Sequence, residues 1–173
     1  MMESIVNLNQ FNQLSADDAT KQLLTCCTSE NWATQLASQR PFADLDSLLS
    51  SSDKIWQSMQ EADLLQAFEG HPQIGNVATL KEKYRNTQAS AAHEQSGANN
   101  ADDATLQALA DGNQAYLDKF GFIFIVFATG KSAQQMLDLL QARLPNSRQQ
   151  ELQNAAAEQN KVTRLRLTKL ITN

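Results

Sequence analysis

A single stretch of this chain has the composition of a β-strand, and that limits the folds open to it more than any other feature. Phe122-Ile123-Phe124-Ile125-Val126-Phe127 is aromatic and β-branched and lies between Gly121 and Gly130; by propensity it reads as a buried strand. No other stretch offers it a convincing sheet partner, and a solitary strand leaves its amides and carbonyls unpaired. Two conformations remain open: continuation of a buried helix, or extended chain inside a helical core. Extended chain would have spare backbone groups and so suit ligand binding.

The rest of the chain is patterned as helix. Ser15, followed by Asp17 and Asp18, reads as an N-cap with acids in the first turn, opening a helix through Leu23, Leu24 and Cys27. Asn31 is expected to cap a short helix with Trp32 and Leu36, stopping before Arg40-Pro41, since a residue preceding proline avoids helical dihedrals. Ser52 or Asp53 is expected to open the next, with Ile55, Trp56 and Met59 on its apolar stripe. A break near Gln60 and a stop at Gly70 bound the following one. Further helices are expected from about Ala78 to Gln95, from Asp102 to Phe120, after Ser132 and after Ser147, with a loop over 97–102. No repeat or linker divides the sequence, so one domain, 1–173, is expected.

Charge and cysteine usage narrow the partners. Of 173 residues, 14 are Lys or Arg and 19 are Asp or Glu, a net charge of −5; nucleic-acid backbones, which need clustered cations, are not expected partners. Cys26 and Cys27 are adjacent and unsuited to a mutual disulfide, and no zinc spacing occurs. The N-terminus lacks the basic and apolar regions of a signal peptide, and no apolar run approaches the ~20 residues of a membrane span. No membrane partner and a cytoplasmic location are the expectations. Dinucleotide, phosphate-loop, zinc-protease and nucleophile-elbow motifs are all missing.

A few side chains stand out. His71 lies in Gly70-His71-Pro72-Gln73-Ile74-Gly75, directly after a helix stop and before a ring that fixes the next φ; such a residue either caps the turn or is held there for chemistry. His93 sits in a polar stretch and reads as a surface residue. Glu94-Gln95 closes a helix against the macrodipole, a mild violation of local rules. Lys161, Arg164, Arg166 and Lys169 crowd the last turns of the final helix, where compensation of the macrodipole is the default explanation. Arg166 borders the apolar stripe and either snorkels or reaches an anion; Arg164 is expected nearer solvent.

Taken in order, these pieces resemble a known family. Trp32-Ala33, Arg40-Pro41-Phe42, Gly70-His71-Pro72-Gln73-Ile74-Gly75, Glu94-Gln95-Ser96-Gly97-Ala98, Lys119-Phe120-Gly121-Phe122-Ile123-Phe124 and Lys161-Val162-Thr163-Arg164-Leu165-Arg166-Leu167 are similar to 2-oxo-4-hydroxy-4-carboxy-5-ureidoimidazoline (OHCU) decarboxylases, the last enzymes of the urate-to-allantoin pathway. The likeness covers nearly the whole chain. It implies an all-α, single-domain helical bundle, usually homodimeric, with no cofactor or metal and with 122–128 as extended chain lining the pocket. It further implies that His71 is the catalytic acid, held by the turn at Pro72, and that Glu94 acts beside it. Gln95 would orient the ureidoimidazoline substrate, Arg166 would clamp its anionic group, and Phe124, Ile125, Val126, Phe127 and Ala128 would contact its ring. The chain departs from the family pattern at Ala91, where serine is common, and at Ile123, where proline is common.

These residue types suit such a reaction. The electrons left by CO2 can delocalise into the substrate's own ring, so the protein need supply only orientation, a place for charge and one proton on one face. Imidazole titrates near the working pH, and a guanidinium holds a planar anion by two parallel bonds. Glu94 is expected to raise the protonated fraction of His71. A non-catalytic helical binding module would leave His71, Glu94 and Arg166 scattered. Decarboxylation or hydrolysis of a different ureide would use similar pocket residues.

Overall fold

A computed structural model describes residues 6–71, 78 and 103–172. The chain divides into two compact units, 1–71 with 156–173 and 72–155. The described residues are mostly helical, as the lack of a strand partner requires.

The first unit contains α1 (Leu8–Gln13), α2 (Ala16–Leu24), α3 (Glu30–Ser38), α4 (Leu45–Gln57) and α5 (Glu61–Glu69). Ser15 caps α2 by accepting from the Asp18 amide, as its sequence context predicts. Two other starts differ from expectation. Ser29, not Asn31, caps α3, and Asp44, not Ser52 or Asp53, caps α4. The serine run 50–52 looks like a helix breaker only while its hydroxyls lack partners; Ser52 is fully buried and its Oγ accepts from the Trp32 indole at 3.0 Å. Asparagine 31 instead spends its side chain on Asp63 and Gln35. The core of this unit joins Phe11, Leu23, Trp32, Leu36, Leu48, Trp56 and Leu167.

In the second unit α6 (Asp103–Phe120) and α7 (Ala133–Arg143) flank the aromatic run in sequence. Ser132 forms a capping box with Gln135 at the start of α7. The last helix, α8 (Arg148–Leu170), begins after Ser147, which accepts from the Gln150 amide. Its first turns belong to the second unit and the remainder to the first. Sequence reasoning foresaw no sheet, but β1 (Val6–Asn7) pairs in parallel with β2 (Ile171–Thr172). Two residues per strand carry too little periodicity to be read in advance. The helix expected from about Ala78 to Gln95 and the loop over 97–102 lie outside the described residues, Ala78 apart.

Candidate active site

His71 is placed by a short chain of local causes. α5 ends at Gly70, whose φ of −71° any residue could adopt. Glycine is needed for space: a Cβ there would sit 2.3 Å from Thr28 Oγ1. That hydroxyl donates to the carbonyls of Gln66 and Ala67, at 2.9 and 3.2 Å, and so closes the C-terminus of α5. The His71 amide then donates to Phe68 O, and the side chain leaves the helix end half-buried.

Its ring meets α8. His71 Nε2 lies 2.5 Å from Gln159 Oε1, and Gln159 Nε2 donates to Thr163 Oγ1 at 3.0 Å. Gln159 and Thr163 are buried. Residues 159, 163 and 166 are spaced i, i+4, i+7 and share one helix face, so Arg166 lies on the same stripe, at its exposed end. Arg166 Nη1 donates to the Cys26 carbonyl at 3.3 Å, and its charge is felt at both His71 and Cys27. An adjacent stripe of α8 docks on α4: Trp56 Nε1 donates to Ala156 O at 2.9 Å, while Asn160 and Arg164 donate to the Asp53 carboxylate at 3.0 and 2.6 Å. The two arginines therefore do different work. Arg164 is half-exposed and paired with an acid, where solvent had been expected; among the described residues no acid pairs with Arg166.

The loop between α2 and α3 accounts for both cysteines, which are free and buried. Cys26 lends its carbonyl to Arg166. Burial raises the Cys27 pKa and outweighs the influence of the Ser29 amide, the Thr163 hydroxyl and the Arg166 charge, all of which lower it. Thr28 caps α5 and Ser29 caps α3. Ser29 acts on its own helix three residues on, whereas the jobs of Cys26 and Thr28 depend on partners more than 30 residues away, and no local sequence signal marks those.

Electrostatics set the resting state of His71. Burial is the largest influence and lowers its pKa below 6.5; Gln159 opposes this and the Arg166 charge adds to it. The shift favours the uncharged ring at neutral pH. The expected upward push from Glu94 rests on a residue outside the described ones, as do Pro72, Gln95, Ala91 and His93.

The aromatic run is neither helix nor strand over 123–128, with Phe122 and Ile125 buried and Phe124, Val126, Phe127 and Ala128 half-buried. Two of its carbonyls are held by cations rather than by a sheet. Arg143 Nη1 donates to Ile125 O at 2.7 Å and Lys131 Nζ to Phe127 O at 2.7 Å. The Arg143 guanidinium also lies 4.7 Å from the Phe124 ring centroid, a favourable cation–π distance. Glu151 holds Arg143 in turn: fully buried, it accepts from Arg143 Nε at 2.7 Å, Tyr116 at 2.6 Å, Asn146 at 2.8 Å and Asn154 at 2.7 Å. Burial pushes this carboxyl up, but the four donors together hold it below its usual range. The same desolvation, reinforced by Glu151, raises the Tyr116 phenol far above 10. Gly121 and Gly130 bracket the run with φ of +82° and +78°, a region that disfavours side chains.

Among the described residues no helix is long and apolar enough to cross a membrane. Residues 12–168 match the sequence model of a family described as OHCU decarboxylase. The chain is 34% identical over 148 residues to the uric acid degradation bifunctional protein TTL of Arabidopsis thaliana, covering 86% of this chain and 46% of that protein. It thus spans about half the length of that relative. It is 29% identical over 133 residues to a 2-oxo-4-hydroxy-4-carboxy-5-ureidoimidazoline decarboxylase of Halalkalicoccus jeotgali, covering 77% and 73% of the two chains. Among solved structures, an OHCU decarboxylase crystallised in the presence of (S)-allantoin matches with a TM-score of 0.70 at 34% identity, covering 86% of this chain and 96% of that one.

Proposed function

The chain belongs to the OHCU decarboxylase family, and from that premise we propose that it decarboxylates 2-oxo-4-hydroxy-4-carboxy-5-ureidoimidazoline to (S)-allantoin and CO2 without a cofactor. The observation that carries the reading is the convergence of His71 and Arg166 on one face of α8. A half-buried imidazole has its Nε2 engaged, and an arginine with no described acid partner stands on the same stripe.

Arg166 is the anion clamp: its fork can take a carboxylate by two parallel charge-assisted bonds. As the C–C bond to the carboxylate breaks, its electron pair moves into the adjoining imine of the ring and CO2 leaves. His71 then delivers one proton to the carbon that bears the ureido group, on the single face it can reach, while the 4-hydroxyl gives its proton to the former imine nitrogen and becomes the ring carbonyl; one enantiomer results. The free enzyme holds this histidine neutral. The negative charge of the bound substrate favours the imidazolium, so the acid is loaded on binding. Glu94 and Gln95 orient the ureido group, Pro72 stiffens the turn, and the backbone of 124–128 contacts the ring. The same reading takes 1–173 as one catalytic domain, homodimeric and cytoplasmic.

The test is to generate the short-lived ureidoimidazoline enzymatically from urate. Its circular dichroism decay and the handedness of the allantoin are then followed with and without the protein. Accelerated decay to the (S) product is expected, and His71→Ala should leave only the slow, racemic background. Wild-type turnover by that variant removes His71 from the mechanism. Acceleration only with a different ureide would reassign the substrate.

A further inference from the structure

Gln159 has no part in the chemistry above, yet among the described residues it is the side chain bonded to the His71 ring. We propose that Gln159 is a positioning residue that keeps His71 as its Nε2–H tautomer, so that Nδ1 is the nitrogen that exchanges a proton with substrate. This rests on the reading of His71 as the acid and adds the atom that acts.

The direction of the hydrogen bonds follows from the two ends of the Gln159 amide. Its Nε2, which can only donate, gives its bond to Thr163 Oγ1 at 3.0 Å. With its amide nitrogen turned to Thr163, Gln159 presents its carbonyl to His71. A carbonyl only accepts, so Nε2 carries the hydrogen, and the neutral ring has a bare Nδ1. Protonation at Nδ1 leaves the Gln159 bond unchanged, so the ring can cycle between charge states without reorganising its anchor. Gln159 and Thr163 are each no more than 2% exposed, so water does not compete for these bonds.

The choice of an amide over a carboxylate has a purpose in this scheme. A glutamate at 159 would hold the proton on the ring, whereas the neutral amide fixes geometry and leaves the proton free to move. Among the described residues the charged group that acts on the ring is Arg166; it disfavours the imidazolium, so loading by the anionic substrate remains decisive.

The experiment is 15N NMR of the full chain labelled at histidine, with a His93→Asn variant to assign the two rings. A neutral His71 protonated at Nε2 is expected; protonation at Nδ1, or a mixture of tautomers, overturns the proposal. Two variants extend it. Gln159→Glu keeps the acceptor and the tautomer, and should move the alkaline limb of the kcat/KM profile up by about 1–3 pH units. Gln159→Met keeps the volume but loses the acceptor; kcat should fall roughly 10- to 100-fold with KM changed less than about threefold. An unshifted limb in the first, or wild-type kcat in a folded second, counts against it. If Gln159→Met does not fold, the wild-type spectrum and Gln159→Glu still decide. The NMR result needs no turnover, so an active His71→Ala would overturn the functional reading while leaving the tautomer assignment intact.

Discussion

The two arginines of the Arg164-Leu165-Arg166 run make a compact test at the level of single residues. Arg164 is tied to Asp53 across a partly exposed surface, where such pairs contribute about 0–1 kcal/mol. Arg164→Ala should therefore cost little stability and leave turnover within about twofold. Arg166 spends one weak bond on the Cys26 carbonyl and is exposed. Losing its charge-assisted bonds to an anion should cost about 1.5–3 kcal/mol of binding, roughly a 10- to 100-fold rise in KM. Steady-state kinetics of both variants check this, and the reverse order would mean that the clamp is Arg164. The sequence pattern separates the two only by placing Arg166 beside the apolar stripe and Arg164 nearer solvent; that Arg164 is held by Asp53, 111 residues away, is decided by packing.

Among the elements, the aromatic run behaves as one piece with its supports. Arg143 is the brace, bonded to Ile125 O, to Glu151 and to Tyr116 while lying over Phe124. Arg143→Met leaves a buried carboxylate and a buried carbonyl short of donors, a class of change costing about 3–5 kcal/mol. A thermal-unfolding comparison should show that loss. If the run contacts substrate as proposed, milder changes such as Gly121→Ala, strained at φ +82°, should raise KM before they lower stability by more than about 1–2 kcal/mol. Helix starts were legible where a cap acts on its own helix, as at Ser15, Ser132 and Ser147. They were misread where a distant partner claimed the polar side chain, as Trp32 claims Ser52 and Asp63 claims Asn31.

For the whole molecule, three groups define a pH window: half-buried His71 and buried Glu151 and Cys27. His71 has a folded pKa below its unfolded value of 6.5, so the stability tied to its neutral form is present above 6.5 and is lost as pH falls. Glu151 is likewise lowered from 4.5, and its contribution disappears on further acidification. Cys27 is raised from 9.0, so its contribution is present below 9.0 and is lost as pH rises. Urea midpoints should therefore form a plateau between about 6.5 and 9.0 and fall on both sides. His71→Asn should remove the first acid-side decline and leave the steeper one below 4.5. An unchanged acid limb in that variant would mean that His71 is not the group responsible.

Apolar period, caps and the lack of a second β-rich stretch determined the helical class from the sequence alone, because these are local properties of a dozen residues at a time. The motif around Gly70-His71 and the late Arg166 pointed to the chemistry through resemblance. Tertiary structure alone decided which helix face His71 meets, that Gln159 links it to Thr163, and that cations hold two carbonyls of the aromatic run in place of a sheet. Each of these is a hydrogen bond whose direction and partner depend on chain segments brought together by packing. A polar side chain has the same donors and acceptors wherever it stands, and only its neighbours in space determine what they hold.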